Sequence, residues 1–150
     1  MREVMTKSMA RNIFYGGSLF FLIIFLLLTY NSRRYIITTS SNEAALTESV
    51  AAGKRIWEHK ACINCHTILG EGAYFAPELG NVMTRWDTLD DPDGAFEILK
   101  AWMESQPTGI EGRRQMPQFN LSDEEIRNLS DFLMWTNTID TQGWPPTDAG

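Results

Sequence analysis

The sequence is short of the residues from which most protein chemistry is built. Its 150 residues include two cysteines and two histidines. Both cysteines fall in one pentapeptide, which rules out a disulfide-stapled scaffold and a four-cysteine zinc site. No His-x-x-x-His pair is present, and no nucleophile stands beside a plausible base. Gly70-x-Gly72 has neither a preceding strand nor a Lys-Ser/Thr pair, so it makes a poor phosphate loop. The run Asp87, Asp90, Asp91 and Asp93 around Pro92 lacks the glycine and terminal glutamate of an EF-hand, and reads as a solvated turn opening a helix. Positive charge is scarce and uneven. Five basic residues and one acid up to Arg34 give +4, which leaves −10 for the rest of a chain whose total is −6. That balance argues against nucleic acid and suits a cationic docking partner.

What is present is Cys62-Ile63-Asn64-Cys65-His66. C-x-x-C-H is the attachment signature of a c-type haem. Two thiols at this spacing can each form a thioether with a haem vinyl group, and the adjacent imidazole reaches the iron as proximal ligand. A redox C-x-x-C or half of a zinc knuckle would leave His66 unexplained.

Ile13 to Tyr30 is an apolar run of 18 residues without a charge. As a helix it would be about 27 Å long, close to the thickness of a bilayer core. It exceeds a signal-peptide core, and Thr29-Tyr30-Asn31-Ser32-Arg33-Arg34 offers no A-x-A-like cleavage site, so a retained anchor is expected. Basic residues flank both ends and barely orient it. The haem motif orients it better, since such attachment in bacteria is expected outside the cytoplasmic membrane. The resulting layout is a cytoplasmic N-terminus over 1–12, a transmembrane anchor over 13–32, a linker over 33–46 and a periplasmic domain over 47–150.

Tyr35 to Asn42 is rich in β-branched and hydroxyl residues and is expected to be extended. Thr47 can cap a helix in which Val50, Ile56 and Trp57 share a face and which delivers Cys62 to the porphyrin edge. After His66, the glycines and Pro77 predict an irregular wrap around the haem. Phe96, Leu99, Ala101, Trp102 and Met103 mark an amphipathic segment. Ser122 to Glu125 forms a capping box, followed by one buried stripe of Ile126, Leu129, Phe132 and Leu133. The tail from Gly143 through Trp144 is expected to be extended.

His66 fills one axial position of the iron, and the other decides the chemistry. A thioether closes the iron and raises its potential, which suits electron transfer; an open position admits gas or peroxide. Seven methionines compete. Met1, Met5 and Met9 precede the anchor, while Met103 and Met134 fall on helical patterns where filling the core is the default. Met116 lies in a loop 50 residues after His66, stiffened by Pro117 and followed by a capped helix, and is the expected ligand. Met83 is the reserve, and His59 is expected on an exposed helix face. Arg113 and Arg114 precede the ligand loop, where either could meet a haem propionate or an acid on a partner.

A single anchor followed by CINCHTILGEGAYFAPELGNV and then RRQMPQFNLSDEEIRNLSDFLMW resembles the cytochrome c subunit of bacterial nitric oxide reductases along nearly the whole chain. The resemblance implies a mainly α, class I cytochrome c-like domain anchored by one N-terminal transmembrane helix, with one covalent haem c and His/Met ligation. It implies a membrane-embedded catalytic partner holding two haems b and a non-haem iron, where two NO, two electrons and two protons become N2O and water. Electrons would come from a soluble periplasmic cytochrome c or a cupredoxin and pass to the first haem b. It also implies a calcium ion at the subunit junction near Gly72 and Tyr74. Two other readings share the haem: a self-standing tethered cytochrome c serving a terminal oxidase, and a gas sensor or peroxidase with a displaceable sixth ligand.

Overall fold

The structure, a computed structural model, describes residues 5–143. The chain divides into two units after Thr39. The first is built on α1, Lys7–Tyr35, whose N-terminus is capped by the Thr6 side chain accepting from the Met9 amide at 3.3 Å. No residue of α1 is buried, and its apolar window has a mean hydropathy of 2.2. An apolar helix with no protein to cover it is suited to lipid, and it contains the whole of the expected anchor 13–32.

The expected extended stretch from Tyr35 is corrected by the structure. The helix runs through Tyr35 and continues as a π-helical turn over Ile36–Ser40. β-branched residues cost only tenths of a kcal/mol each in a helix, too little to stop one already propagating. The Thr38 hydroxyl donates to the Arg34 carbonyl at 2.8 Å, a side-chain bond that competes with the backbone ladder where it widens. The next residues are tied down as well, within the second unit. Ser40 O accepts from the Asp140 amide at 2.9 Å and Asn42 O from Trp135 Nε1 at 3.0 Å, so part of the expected linker is fastened to the end of the last helix.

The second unit is mainly helical. Its helices are α2, Glu48–His59; α3, Val82–Arg85; α4, Pro92–Glu104; and α5, Asp123–Asn137. Thr47 caps α2 by accepting from the Val50 amide, as the sequence predicts. Asp91 caps α4 from in front of Pro92, which resolves the acidic run as a helix start. Ser122 and Glu125 form the expected capping box of α5. Val50, Gly53 and Trp57 are the buried face of α2; they pack against Leu129, Phe132 and Leu133 of α5, while Phe96, Leu99 and Met103 of α4 close the core from the other side. The segment after His66 is more regular than expected. Thr67–Ile68 (β1) and Glu71–Gly72 (β2) pair antiparallel about Leu69 and Gly70, both at positive φ, the signature of a two-residue hairpin turn. Trp144 and the residues after it lie outside the described residues.

Candidate haem site

The C-x-x-C-H segment is one helical turn. The Cys62 carbonyl accepts from the Cys65 amide at 3.0 Å and from the His66 amide at 2.9 Å. Residues i, i+3 and i+4 of a turn share a face, so the spacing sets both thiols and the imidazole to one side. Ala61, in the left-handed region at φ 56°, breaks α2 just before the turn and re-aims the chain.

The following loop then folds back on this turn. Cys65 O accepts from the Ala76 amide at 2.8 Å and Ile63 O from the Ala73 amide at 2.9 Å, which brings Pro77 beside the histidine. His66 Nδ1 lies 2.8 Å from the Pro77 carbonyl oxygen. A carbonyl can only accept, so Nδ1 is the donor, which leaves Nε2 as the ring nitrogen available to a metal. The Trp57 ring stands 6.3 Å from the imidazole, centroid to centroid, and walls the same space.

That space is a crevice with two adjoining lobes of about 450 and 470 Å³. Cys62, His66, Pro77, Met116 and Phe119 border both. The first lobe is walled chiefly by apolar side chains from α2, α4 and α5, including Trp57, Leu99, Trp102, Leu129 and Leu133. The second adds Cys65, Phe75 and the cationic pair Arg113 and Arg114, with the Arg114 guanidinium 3.6 Å from the centre of the Phe75 ring. Size and lining are those of a cofactor site. Burial pushes the Cys62 thiol up to about 11, with Cys65 adding to the rise and its own backbone amide and Lys60 opposing it. The thiol is therefore neutral in its apolar wall. Two free thiols, an imidazole with its lone pair held ready and a thioether, all bordering one apolar crevice, fit a haem.

Cys62, Cys65, His66 and Met116 are thus brought together. Met83 is not. It is wholly buried in the core, its sulfur accepts from the Thr88 hydroxyl at 3.4 Å, and it borders neither lobe. His59 is exposed at the end of α2. Met103, expected as core filler, is buried and also forms part of the first lobe's wall. Gly72 lies in β2 at φ +128°, where a Cβ would come within 2.3 Å of the His66 carbonyl oxygen, so glycine is required there by backbone packing alone. Tyr74 is 78% exposed and its hydroxyl donates to the Gly70 carbonyl at 3.3 Å.

Sequence reasoning missed the residues that hold this arrangement from behind. The buried Glu78 carboxylate accepts from the amides of Leu69 and Gly80, each at 2.8 Å, pinning the hairpin to the loop. Arg85 borders the first lobe and donates to the Glu78 carbonyl at 2.7 Å and to Asn81 Oδ1. Burial lowers the pKa of its guanidinium, partly offset by Glu78. A lone acid in the apolar run Ala76-Pro77-Glu78-Leu79-Gly80 was the available signal.

Comparison with known proteins agrees with the geometry. The cytochrome c family model matches residues 50–137. Over all 150 residues, and the full length of each relative, the chain is 69% identical to the C subunit of nitric oxide reductase from Paracoccus denitrificans. It is 61% identical to the same component in Cereibacter sphaeroides (strain ATCC 17025 / ATH 2.4.3) and 55% identical to that of Halomonas halodenitrificans, again over the full length of both chains. The chain with this crevice belongs to the cytochrome c family and, within it, to the group formed by the C subunits of nitric oxide reductases.

Proposed function

We propose that the chain is the electron-transfer subunit of a nitric oxide reductase, anchored in the inner membrane by α1 with its haem domain in the periplasm. It takes electrons singly from a soluble cytochrome c or cupredoxin and delivers them to haem b of a catalytic membrane subunit that also holds the non-haem iron. When bound, the haem supplies a one-electron iron couple. Cys62 and Cys65 would hold it covalently, while the His66 imidazole and the Met116 thioether would be its iron ligands. A calcium ion at Gly72 and Tyr74 belongs to the same proposal, as part of the junction with the catalytic subunit.

The observation that carries this reading is that His66 and Met116 border both lobes of one crevice. The Pro77 carbonyl keeps the Nδ1 proton in place and so directs Nε2 at the metal, which also raises the ligand's basicity. With Met116 as second ligand the iron would offer no position for substrate, so NO would be reduced elsewhere. Tethering the domain beside its acceptor turns a bimolecular encounter into a local one. Affinity purification of the tagged full chain from its native membrane tests the proposal. The expected result is copurification of a haem b and non-haem iron protein, with NO consumption that stops when Cys62 and Cys65 are replaced by alanine. Haem c recovered alone would support the tethered shuttle instead.

A further inference from the structure

The loop that bears Met116 has no core of its own. None of residues 107–114 is buried, and Gly109 and Gly112 sit at positive φ in open space. Apart from the Arg114 guanidinium on the Phe75 ring, packing does little to hold this segment in one shape, and a loop of this kind opens easily. Two glutamines, on either side of Met116-Pro117, supply what packing does not.

Gln115 fills the loop from within. Its Oε1 accepts from the Thr108 hydroxyl at 2.9 Å and from the Gly109 amide at 3.2 Å, while its Nε2 donates to the Ile110 carbonyl at 2.6 Å and lies 3.4 Å from that of Arg113. Every donor and acceptor of the side chain is used. Gln118 closes the loop at its base. Its Nε2 reaches the carbonyls of Met103 and Gln106, each at 3.2 Å, and that of Glu104 at 3.5 Å, and its Oε1 accepts from the Asn120 amide at 3.1 Å. The first of these carbonyls lies in the last turn of α4, where it also accepts from the Gln106 amide at 3.4 Å. Met103, so held, is itself part of the crevice wall.

We propose that Gln115 and Gln118 are positioning residues for the sixth ligand: they hold the loop closed and so set the fraction of time for which Met116 occupies the iron. The inference rests on Met116 being that ligand. Apparent affinity for an added ligand scales with the open fraction, so loosening the loop should tighten the binding of an external base.

The test uses the full-length, haem-loaded chain in detergent, with imidazole as probe and the thioether-to-ferric-haem charge-transfer band as readout. Gln115→Ala and Gln118→Ala are each expected to bind imidazole about tenfold more tightly, from roughly one hydrogen bond's net worth of lost closure, with unchanged haem content. Thr108→Val, at an exposed site, should give a smaller shift of about threefold and Thr108→Ser should restore it. Ser122→Ala, which destabilises α5 without touching the loop, should leave imidazole binding unmoved. Affinities within about twofold of the parent in the glutamine variants would overturn the inference, since a lost hydrogen bond that mattered would exceed that. If those variants fail to fold, Thr108→Val decides the matter alone by the same criterion. A parent protein with no thioether band would overturn the Met116 assignment and this inference with it.

Discussion

Gly53 of α2 meets Asn128 of α5 backbone to backbone: a Cβ at Gly53 would lie 1.9 Å from the Asn128 carbonyl oxygen. The contact sets the crossing of the two helices, and through it the place of Trp57 and the haem turn that follows α2. Alanine at position 53 gains up to about 1 kcal/mol of helix propensity. It must also push two backbones apart, and neither is a flexible side chain that could yield. The expected outcome for Gly53→Ala is a net loss of about 2 kcal/mol or more, and a fall of about 10 °C in the melting temperature of the haem-loaded protein. Thermal unfolding at matched haem content measures it, and a variant as stable as the parent would show that the helices can separate without cost.

Glu78 is buried against the amides of Leu69 and Gly80. A glutamine in its place would keep, on one oxygen, the bonds from Leu69 and Gly80, but would lose the charge and set its NH2 against the Gly70 amide, which now donates to the second carboxylate oxygen at 3.5 Å. Glu78→Gln is therefore expected to cost about 1–3 kcal/mol. Amide exchange should quicken at Leu69, Gly70 and Gly80 ahead of the rest of the domain. Exchange that rises uniformly, or not at all, would place the carboxylate outside the hairpin's support.

The sequence showed most plainly whatever is local. Cys62, Cys65 and His66 stood out as a set by spacing, and the structure gathers them on one turn at the crevice. Thr47, Ser122 and Glu125 declared helix starts, and the stripe Ile126, Leu129, Phe132 and Leu133 declared a buried face, because each signal lies within two turns of chain. Long-range partners were not legible. Nothing local to Pro77 says that its carbonyl will accept a hydrogen bond from His66, and nothing in Gly53 names Asn128. The extended reading of Tyr35 to Asn42 failed over Tyr35–Ser40 for a different reason: propensity is a weak preference, and a long helix already under way overrode it. Between Met83 and Met116, loop context favoured the second, and the structure puts only Met116 at the crevice.

The capping box makes α5 sensitive to acid. Hydrogen bonds from the Ser122 amide and then its hydroxyl lower the pKa of the Glu125 carboxyl below its ordinary value of 4.5. A group whose folded pKa is depressed contributes stability that is present above the unfolded value and lost as pH falls through the folded one. Glu125→Gln keeps the reach of the side chain without the charge. The parent should therefore melt higher than this variant near neutral pH, and the gap should close as the pH drops below about 4. Ser122→Ala, by contrast, should cost about 1 kcal/mol at neutral pH. A gap between parent and Glu125→Gln that is constant from neutral to acid pH would remove the carboxylate's charge from the account.

If Met116 is the iron ligand as proposed, substitutions at Met116 and Met83 should separate the chemistry of the iron from the stability of the fold. Met116→Ala should retain its haem, since both thiols and His66 remain, but lose the charge-transfer band completely. Its iron should then bind added NO or imidazole and have a lower potential, each fall of about 59 mV shifting a one-electron equilibrium tenfold against reduction. Met83→Ala should do the reverse. Emptying a wholly buried site is expected to cost about 2–5 kcal/mol and leave the band intact, because its sulfur is bound to Thr88 and stands apart from the crevice. Spectra and melting curves of the two variants, taken side by side, would reassign the ligand if the band vanished in Met83→Ala and survived in Met116→Ala.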